Sequence, residues 1–234
     1  MVSPPARYLV FFQYFGTKYS GVMETSNDQA IAGVQNYLEK AAQNLKPLVP
    51  IKFCISSRTD SGVHALCNSA HFDIQRAPGK PAFNEKQLIH CLNYHLRTEP
   101  IRILKAHRVS SSFHARFSAL SRTYIYRVLT GCAHYSQIPV FERDLCWAPM
   151  GPKLEFWELK FRSRSFLYRQ VRRMTGALVA VGQGKLTPHH IKELLEIKDS
   201  RAFPSYAMAP PSGLFLKSVE YNEADLDTTV SPAE

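Results

Sequence analysis

The order of apolar segments in the first 110 residues most constrains the fold of this chain. Residues 8–14 form a near-continuous apolar run, as expected of a strand buried on both faces. An amphipathic helix is predicted next, with Asn27 or Asp28 as its cap. Its apolar residues recur every three to four positions, at Ile31, Val34, Leu38, Ala41 and Leu45. Further strands are predicted at 51–55, 66–74 and 101–109, with a second helix capped by Asn84 before the last of them. The order β-α-β-β-α-β predicts a ferredoxin-like α+β fold.

The second half of the chain repeats this plan incompletely. Strands are predicted at 122–129, 156–161 and 214–221. Ser165 is a candidate cap for a long helix with an apolar stripe at Leu167, Val171, Met174 and Leu178. Thr187 followed by Pro188 opens another helix. A crossover helix and a strand are missing between Leu129 and Phe156.

The length of 234 residues allows two domains of about 100 residues each. We expect two ferredoxin-like halves, at residues 1–116 and 117–222, with the second truncated around 148–156. Residues 223–234 form an acidic tail that we expect to be disordered.

Basic residues are concentrated in two windows without acidic residues. The formal net charge is +10, which favours a polyanionic partner, nucleic acid before an acidic membrane surface. Residues 101–141 and 159–192 contain no Asp or Glu, and each window interleaves Arg and Lys with Tyr and Phe. One such window alone is as well explained by a solvated basic face. Two windows favour phosphate binding together with base stacking.

A carboxylate stands alone in the loop between the second and third strands. Asp60 is the only acidic residue between Ile51 and Phe72, and Arg58 precedes it by two positions. An isolated carboxylate beside an arginine is a candidate catalytic group. The segment Asp-Ser-Gly is also a common turn, so spacing alone leaves both interpretations open.

Other kinds of site are not indicated. The five cysteines are odd in number and form no C-x-x-C pair, which indicates reduced thiols and not a disulfide framework or a zinc site. The histidines show no metal-ligand spacing, and Asp60 has no second carboxylate nearby in sequence, as a glycosidase would require. No apolar run reaches the roughly 18 residues of a membrane span.

Five segments, in order, resemble the TruA family of tRNA pseudouridine synthases. They span almost the whole chain and together are far more specific than any one of them. These segments are 57–65 (SRTDSGVHA), 113–116 (FHAR), 121–127 (SRTYIYR), 166–176 (FLYRQVRRMTG) and 209–216 (APPSGLFL).

The resemblance implies a pseudouridine synthase with joined antiparallel sheets and a basic cleft between its halves. It implies that Asp60 is the catalytic aspartate, that Arg58 helps to expel and replace the flipped base, and that Arg172 pairs with Asp60 across the cleft. It also implies that Tyr124 stacks on the target uracil and that Leu214 belongs to the apolar wall. The predicted RNA contacts are Arg116, Arg122, Arg169 and Arg173.

The resemblance implies neither metal nor cofactor, because the isomerisation involves no redox step or hydrolysis. The expected partner is tRNA or another structured RNA, with no membrane, and a homodimer by analogy with the family. Mitochondria are the expected location, with the cytoplasm as the alternative. Family members carry a longer segment between Trp147 and Phe156, where this chain has a short link. An RNA-binding protein with impaired catalysis is therefore the alternative function.

Overall fold

A computed structural model describes residues 4–26, 28–149, 151 and 153–226. The described residues form a mixed α and β structure with seven strands in one sheet. The strands are β1 (Ala6–Tyr14), β2 (Cys54–Ile55), β3 (His64–Ile74), β4 (Ile101–Val109), β5 (Ser121–Thr130), β6 (Glu155–Ser163) and β7 (Leu214–Glu220). The α-helices are α1 (Val34–Gln43), α2 (Glu85–Leu96), α3 (Gln170–Gly182) and α4 (Pro188–Ile197).

The strands follow the order β4-β1-β3-β7-β5-β6, and β2 pairs with β3 outside this path. β1 is antiparallel to both of its neighbours: Tyr8 lies opposite Phe72 of β3 and opposite Arg108 of β4. The short strand β2 is antiparallel to β3, with Cys54 opposite His71.

The chain divides into two compact units, residues 1–123 with 216–234, and residues 124–215. The first unit has a dense core. Its two helices pack against each other, and α2 packs against β4. Fully buried side chains from strands and helices fill the space between them, among them Tyr8, Phe12, Leu38, Phe72, Leu88 and Leu92.

The second unit buries much less. No residue of α4 is buried, and most of β6 is exposed. Its buried side chains come largely from β5, among them Ile125, Tyr126 and Val128, and two small clusters lie around Leu129 with Cys146 and around Ala180 with Ala207. Short apolar clusters of this kind contribute little burial free energy compared with the core of the first unit.

The segment between β5 and β6 is largely irregular. Between Thr130 and Glu155 the described residues form two 3₁₀ helices, Tyr135–Gln137 and Val140–Glu142, and contain no α-helix or strand. A single bridge joins Val128 to Trp147. The helix and strand that complete the first half have no counterpart in this described segment.

Three predicted boundaries are wrong. The first helix is capped by Gly33 and not by Asp28, and Ile31 lies outside it, 55% exposed; Asn27 lies outside the described residues. The second predicted strand shrinks to two residues. The long helix starts at Gln170 after Arg169, so that Leu167 lies outside it and is 79% exposed.

Two helix caps lie where the sequence predicts them. Asn84 and Thr187 cap their helices as predicted, each side chain accepting a backbone N–H. Within the tail, Glu223–Asp225 forms a 3₁₀ helix, and residues 227–234, where disorder is predicted, lie outside the described residues. Among the described helices, none has the length and apolar content needed to cross a membrane.

Candidate active site

The Asp60 loop connects β2 to β3 and is held by backbone contacts on its outer side. Asp60 forms an isolated antiparallel bridge with Gly21, and the N–H of Val22 donates to the carbonyl of Thr59 at 3.2 Å. The N–H of Val63 donates to the carbonyl of Asp60 at 3.1 Å, which closes the turn. Asp60 is half-buried and Arg58 is exposed. The loop is therefore a turn that carries a half-buried carboxylate. The interpretation of this segment as a turn and that of Asp60 as a candidate catalytic group do not exclude each other.

Glycines allow the neighbouring segment to approach this loop. Gly21 has φ +118°, and a Cβ at this position would lie 2.6 Å from the carbonyl oxygen of Thr59. A Cβ at Gly16 would lie 1.9 Å from the carbonyl oxygen of Val63. The backbone N–H of Gly16 also donates to Nδ1 of buried His64 at 3.0 Å. These contacts leave no room for a side chain, so glycine is required at both positions.

Buried hydrogen bonds support the loop from the sheet. The hydroxyls of Tyr14 and Thr59 are 2.8 Å apart, and Nδ2 of Asn68 donates to the carbonyl of Ser57 at 2.9 Å. Burial raises the pKa of Tyr14 to about 12, which keeps its hydroxyl protonated. Fully buried polar groups of this kind are costly unless paired, so their pairing fixes the backbone on both sides of Arg58.

Arg122 holds the start of the same loop with a buried guanidinium. It is 8% exposed and donates to Oγ of Ser57 at 3.0 Å and to the carbonyl and Oγ of Ser56, each at 3.2 Å. It also donates to the carbonyl of Arg116 at 2.8 Å. This residue is predicted above as an RNA contact, and these bonds direct its guanidinium into the protein.

The FHAR segment, residues 113–116, is held by buried side chains of the sheet. The N–H of Ala115 donates to Nδ1 of His71 at 3.1 Å, and the carbonyl of Ala115 accepts from the hydroxyl of Tyr221 at 2.6 Å. Arg116 itself is exposed, with its guanidinium 5.7 Å from the ring centroid of Phe117, which is 70% exposed. The fixed backbone therefore presents a cation and an aromatic face to solvent.

Cys54, His71 and His114 bring three potential metal-ligand atoms within 4.8 Å of one another. Nδ1 of His71 accepts the N–H of Ala115, and Nδ1 of His114 accepts the N–H of Arg116 at 3.2 Å. In each ring Nδ1 is thus used as the acceptor of a backbone N–H. Nε2 of His114 lies 3.5 Å from the sulfur of Cys54, within hydrogen-bonding distance. This arrangement is a hydrogen-bonded support for the FHAR segment.

In the second unit, Tyr124 and Arg172 are both held in place. Tyr124 is buried and packs edge-to-face on Phe166, with ring centroids 5.2 Å apart. Nε of half-buried Arg172 donates to the carbonyl of Ala209 at 2.8 Å, and the N–H of Ala209 donates back to the carbonyl of Arg172 at 3.2 Å. Leu214 is buried at the start of β7.

Arg169 forms the exposed end of this region. It adopts the left-handed conformation, φ 57°, immediately before α3. Its guanidinium lies 4.8 Å from the ring centroid of Tyr168, which is 66% exposed. Arg173 is half-buried one turn further along. A cation next to an exposed aromatic face suits a nucleotide, since one group binds phosphate and the other stacks on a base.

The predicted site residues are divided between the two units. The first unit contains Arg58, Asp60, Arg116 and Arg122, and Arg122 and the backbone of Arg116 are in direct contact. The second contains Tyr124, Arg169, Arg172, Arg173 and Leu214. Sequence reasoning missed the supporting residues Tyr14, Asn68 and His71, which carry no local motif; their signal is only that a polar residue occupies a predicted buried strand.

A protein-family comparison gives one matching family, described as tRNA pseudouridine synthase, over residues 10–118 and 134–222. The chain is 51% identical to tRNA pseudouridine synthase-like 1 of Xenopus laevis, over 97% of this chain and 95% of that protein. It is 44% identical to tRNA pseudouridine synthase-like 1 of Homo sapiens, over 92% of this chain and 90% of that protein. It is also 33% identical to tRNA pseudouridine synthase A of Maricaulis maris, over 92% of this chain and 98% of that protein.

The alignments also measure how short the chain is. The alignment with the Xenopus laevis protein spans 284 positions, whereas the chain has 234 residues. Since 284 exceeds 234 by 50, at least 50 positions of that alignment have no residue of this chain.

Proposed function

The chain belongs to the tRNA pseudouridine synthase family, and from this we propose that it converts uridine to pseudouridine in tRNA or another structured RNA. The reaction breaks the bond between ribose C1′ and N1 of uracil and forms a bond between C1′ and C5. The proton on C5 is lost to solvent and N1 gains one, so the reaction is an isomerisation.

We propose Asp60 as the catalytic carboxylate. Its half-buried position on a loop that is fixed from both sides supports this role, because a nucleophile or base must be held in one geometry. An arginine partner favours the ionised form of a carboxylate. Arg172 is the proposed partner, and the support for this pair is the match of both residues to the family motifs.

Base flipping defines the other proposed roles. A uracil can react only after it has left the base stack, and its place must then be filled. Exposed Arg58 is suited to fill it, since its side chain extends from a rigid backbone. Tyr124 is proposed as the aromatic face for the flipped uracil and Leu214 as part of the apolar wall. Arg116, Arg169 and Arg173 are the proposed phosphate contacts.

We also infer the family's two ferredoxin-like halves with a basic cleft. The pairing of β4 with β1, β1 with β3 and β3 with β2, together with α1 and α2, supports this for the first half. The location in mitochondria or, alternatively, the cytoplasm stays a prediction.

Release of tritium from tRNA labelled at C5 of uridine tests the proposal. The wild-type chain is expected to release tritium, and Asp60→Asn to reduce the rate by at least about 10³-fold while tRNA affinity changes less than about threefold. Asp28→Asn, at an exposed position, is the matched control and should retain full activity. Undiminished release by Asp60→Asn would exclude Asp60 as the catalytic group.

The short chain length favours a second candidate, an RNA-binding protein without turnover. At least 50 aligned positions have no residue here, and in the second unit no residue of α4 is buried and most of β6 is exposed. The same assay separates the two candidates. If the wild-type chain binds tRNA with a steep salt dependence and releases no tritium, the second candidate is correct and the first is wrong.

A further inference from the structure

A cavity with basic walls lies in the first unit, between the end of α1, the loop after β3, and α2. Its volume is about 190 Å³, and none of the described residues that line it is acidic. The basic lining residues are Lys46, Arg76, Lys80 and His95, and Phe83 and Cys91 lie beside them. A cleft lined by charges of one sign concentrates the electrostatic field, so this cavity favours an anionic ligand.

The cations of this cavity are not neutralised by the protein. In the described part of the chain, neither Lys46, Arg76 nor Lys80 forms a salt bridge. Other cations of the same unit do have carboxylate partners, as Arg7 has Asp73 at 2.7 Å. The positive charge around the cavity is therefore available to a ligand.

Arg76 is held in a fixed orientation at the cavity. Its Nη1 donates to the carbonyl of Pro81 at 2.7 Å, and its guanidinium carbon lies 4.0 Å from the ring centroid of Phe83. The carbonyl of Phe83 in turn accepts from the hydroxyl of fully buried Tyr8 at 2.6 Å. The core thus fixes the segment that positions this guanidinium. A planar guanidinium has five N–H donors and binds phosphate oxygens in pairs.

We propose that Lys46, Arg76 and His95 form a binding site for a phosphate group. Arg76 supplies a rigid set of N–H donors, Lys46 an ammonium group and His95 a ring N–H. Lys80 is exposed and adds positive charge nearby without an assigned contact. The phosphate belongs either to a free phosphate compound or to the backbone of a bound RNA.

This cavity is separate from the candidate active site. The Asp60 loop enters β3 at His64, whereas Arg76 follows the other end of that strand, Ile74. Because a strand rises about 3.3 Å per residue, the two ends of β3 are roughly 30–35 Å apart. The site uses no residue proposed above for catalysis, so it does not depend on whether the chain isomerises uridine.

The ³¹P NMR resonance of inorganic phosphate tests this site, since exchange with a protein-bound state broadens the line. The wild-type chain is expected to give saturable broadening, and K46Q/R76Q to raise the dissociation constant at least about tenfold. K40Q/K86Q removes the same charge from exposed positions of α1 and α2 outside the cavity, and should stay within about twofold of wild type.

A single variant separates loss of the ligand from damage to the fold. Lys46 is exposed, and Lys46→Gln leaves the contact between Arg76 and Phe83 intact. This variant should raise the dissociation constant at least about threefold. Its free energy of unfolding in urea should match that of the wild type.

Cys91 reports where the phosphate binds, because its side chain lines the cavity. Alkylation of each thiol by N-ethylmaleimide, followed by mass spectrometry, gives separate rates for the cysteines. Saturating phosphate should slow the reaction of Cys91 at least about threefold relative to chloride at equal ionic strength. Cys67, which is half-buried on β3 and does not line the cavity, should react at an unchanged rate.

The same reaction in the presence of tRNA distinguishes the two sources of phosphate. If RNA occupies the cavity, tRNA slows alkylation of Cys91 in the wild type and not in K46Q/R76Q. If only inorganic phosphate slows it, the ligand is a free phosphate compound.

Three results would overturn the proposal: no saturable broadening by the wild type, equal constants for K46Q/R76Q and K40Q/K86Q, or slowing at Cys91 and Cys67 alike. A chain that releases no tritium from uridine would leave these measurements unchanged, so the phosphate site and the proposed function can fail separately.

Discussion

At the scale of single residues, Arg122 shows how burial decides the role of a cation. Its guanidinium donates to Ser56, Ser57 and the carbonyl of Arg116, and it is 8% exposed. A cation in that position fixes two segments that carry proposed site residues, the loop of Asp60 and the segment of Arg116. The sequence predicts Arg122 as a phosphate contact, since it lies in a window rich in basic residues. A count of charges does not show which of these side chains are buried.

We therefore expect Arg122→Gln to destabilise the first unit. The variant leaves several buried acceptors without a donor, and the expected loss is about 2–4 kcal/mol in the free energy of unfolding measured with urea. Arg58→Gln, which changes an exposed side chain, should cost less than about 0.5 kcal/mol. Equal small losses for both variants would contradict a structural role for the buried guanidinium.

His71 gives the stability a predictable pH dependence. Burial, together with the nearby charges of Arg7 and His114, lowers its pKa from 6.5 to about 4. The unfolded chain therefore binds a proton at a higher pH than the folded protein does. The contribution of His71 is complete above pH 6.5 and is lost as the pH falls from 6.5 towards 4.

His71→Asn removes this titration and keeps a side-chain oxygen that can accept the N–H of Ala115. We expect the wild type to lose about 2 kcal/mol more than this variant between pH 6.5 and 4, measured by urea unfolding at each pH. His90→Asn, at an exposed position of α2, should follow the wild-type curve. If the unfolding free energy of His71→Asn depends on pH as that of the wild type does, the imidazole of His71 does not titrate as proposed.

At the scale of elements, sequence patterns predict a helix or strand correctly where its position depends on nearby residues alone. Asn84 and Thr187 fix helix starts by their own side chains, and the apolar run of β1 marks its strand directly. The start of α1 could not be predicted in the same way. Gly33 caps it because the backbone there packs against Met23, where an added Cβ would lie 1.7 Å from the carbonyl oxygen. This contact between distant segments leaves no periodic signal.

In the candidate site, too, the residues with a local sequence signal could be predicted and those that depend on tertiary contacts could not. The loop with Asp60 was found from an isolated carboxylate and from a motif, both of which are local. The support from Tyr14, Asn68 and Arg122 was not found, because it depends on which strands become neighbours. Likewise, the three-to-four spacing before α3 predicted an earlier helix start, but Arg169 adopts a left-handed conformation there. Periodicity does not report such an interruption.

At the scale of the whole molecule, the formal charge of +10 matters through the residues that can reach phosphate. Arg169 is exposed and Arg173 is half-buried, whereas the guanidinium of Arg122 is buried and engaged. Each phosphate contact releases counterions, so the logarithm of the association constant falls with the logarithm of salt concentration in proportion to the number of contacts. The number of cations that bind RNA should therefore be smaller than the sequence windows suggest.

Salt titrations of tRNA binding measure this number directly. We expect R169Q/R173Q to reduce the slope of log K against log salt by about 1.5–2, because two phosphate contacts are lost. K80Q/K86Q removes the same charge from exposed positions to which no phosphate contact is assigned, and should leave the slope within about 0.5 of wild type. Equal slopes for the two double variants would mean that binding depends on net charge, and Arg169 and Arg173 would then lose their assignment as phosphate contacts.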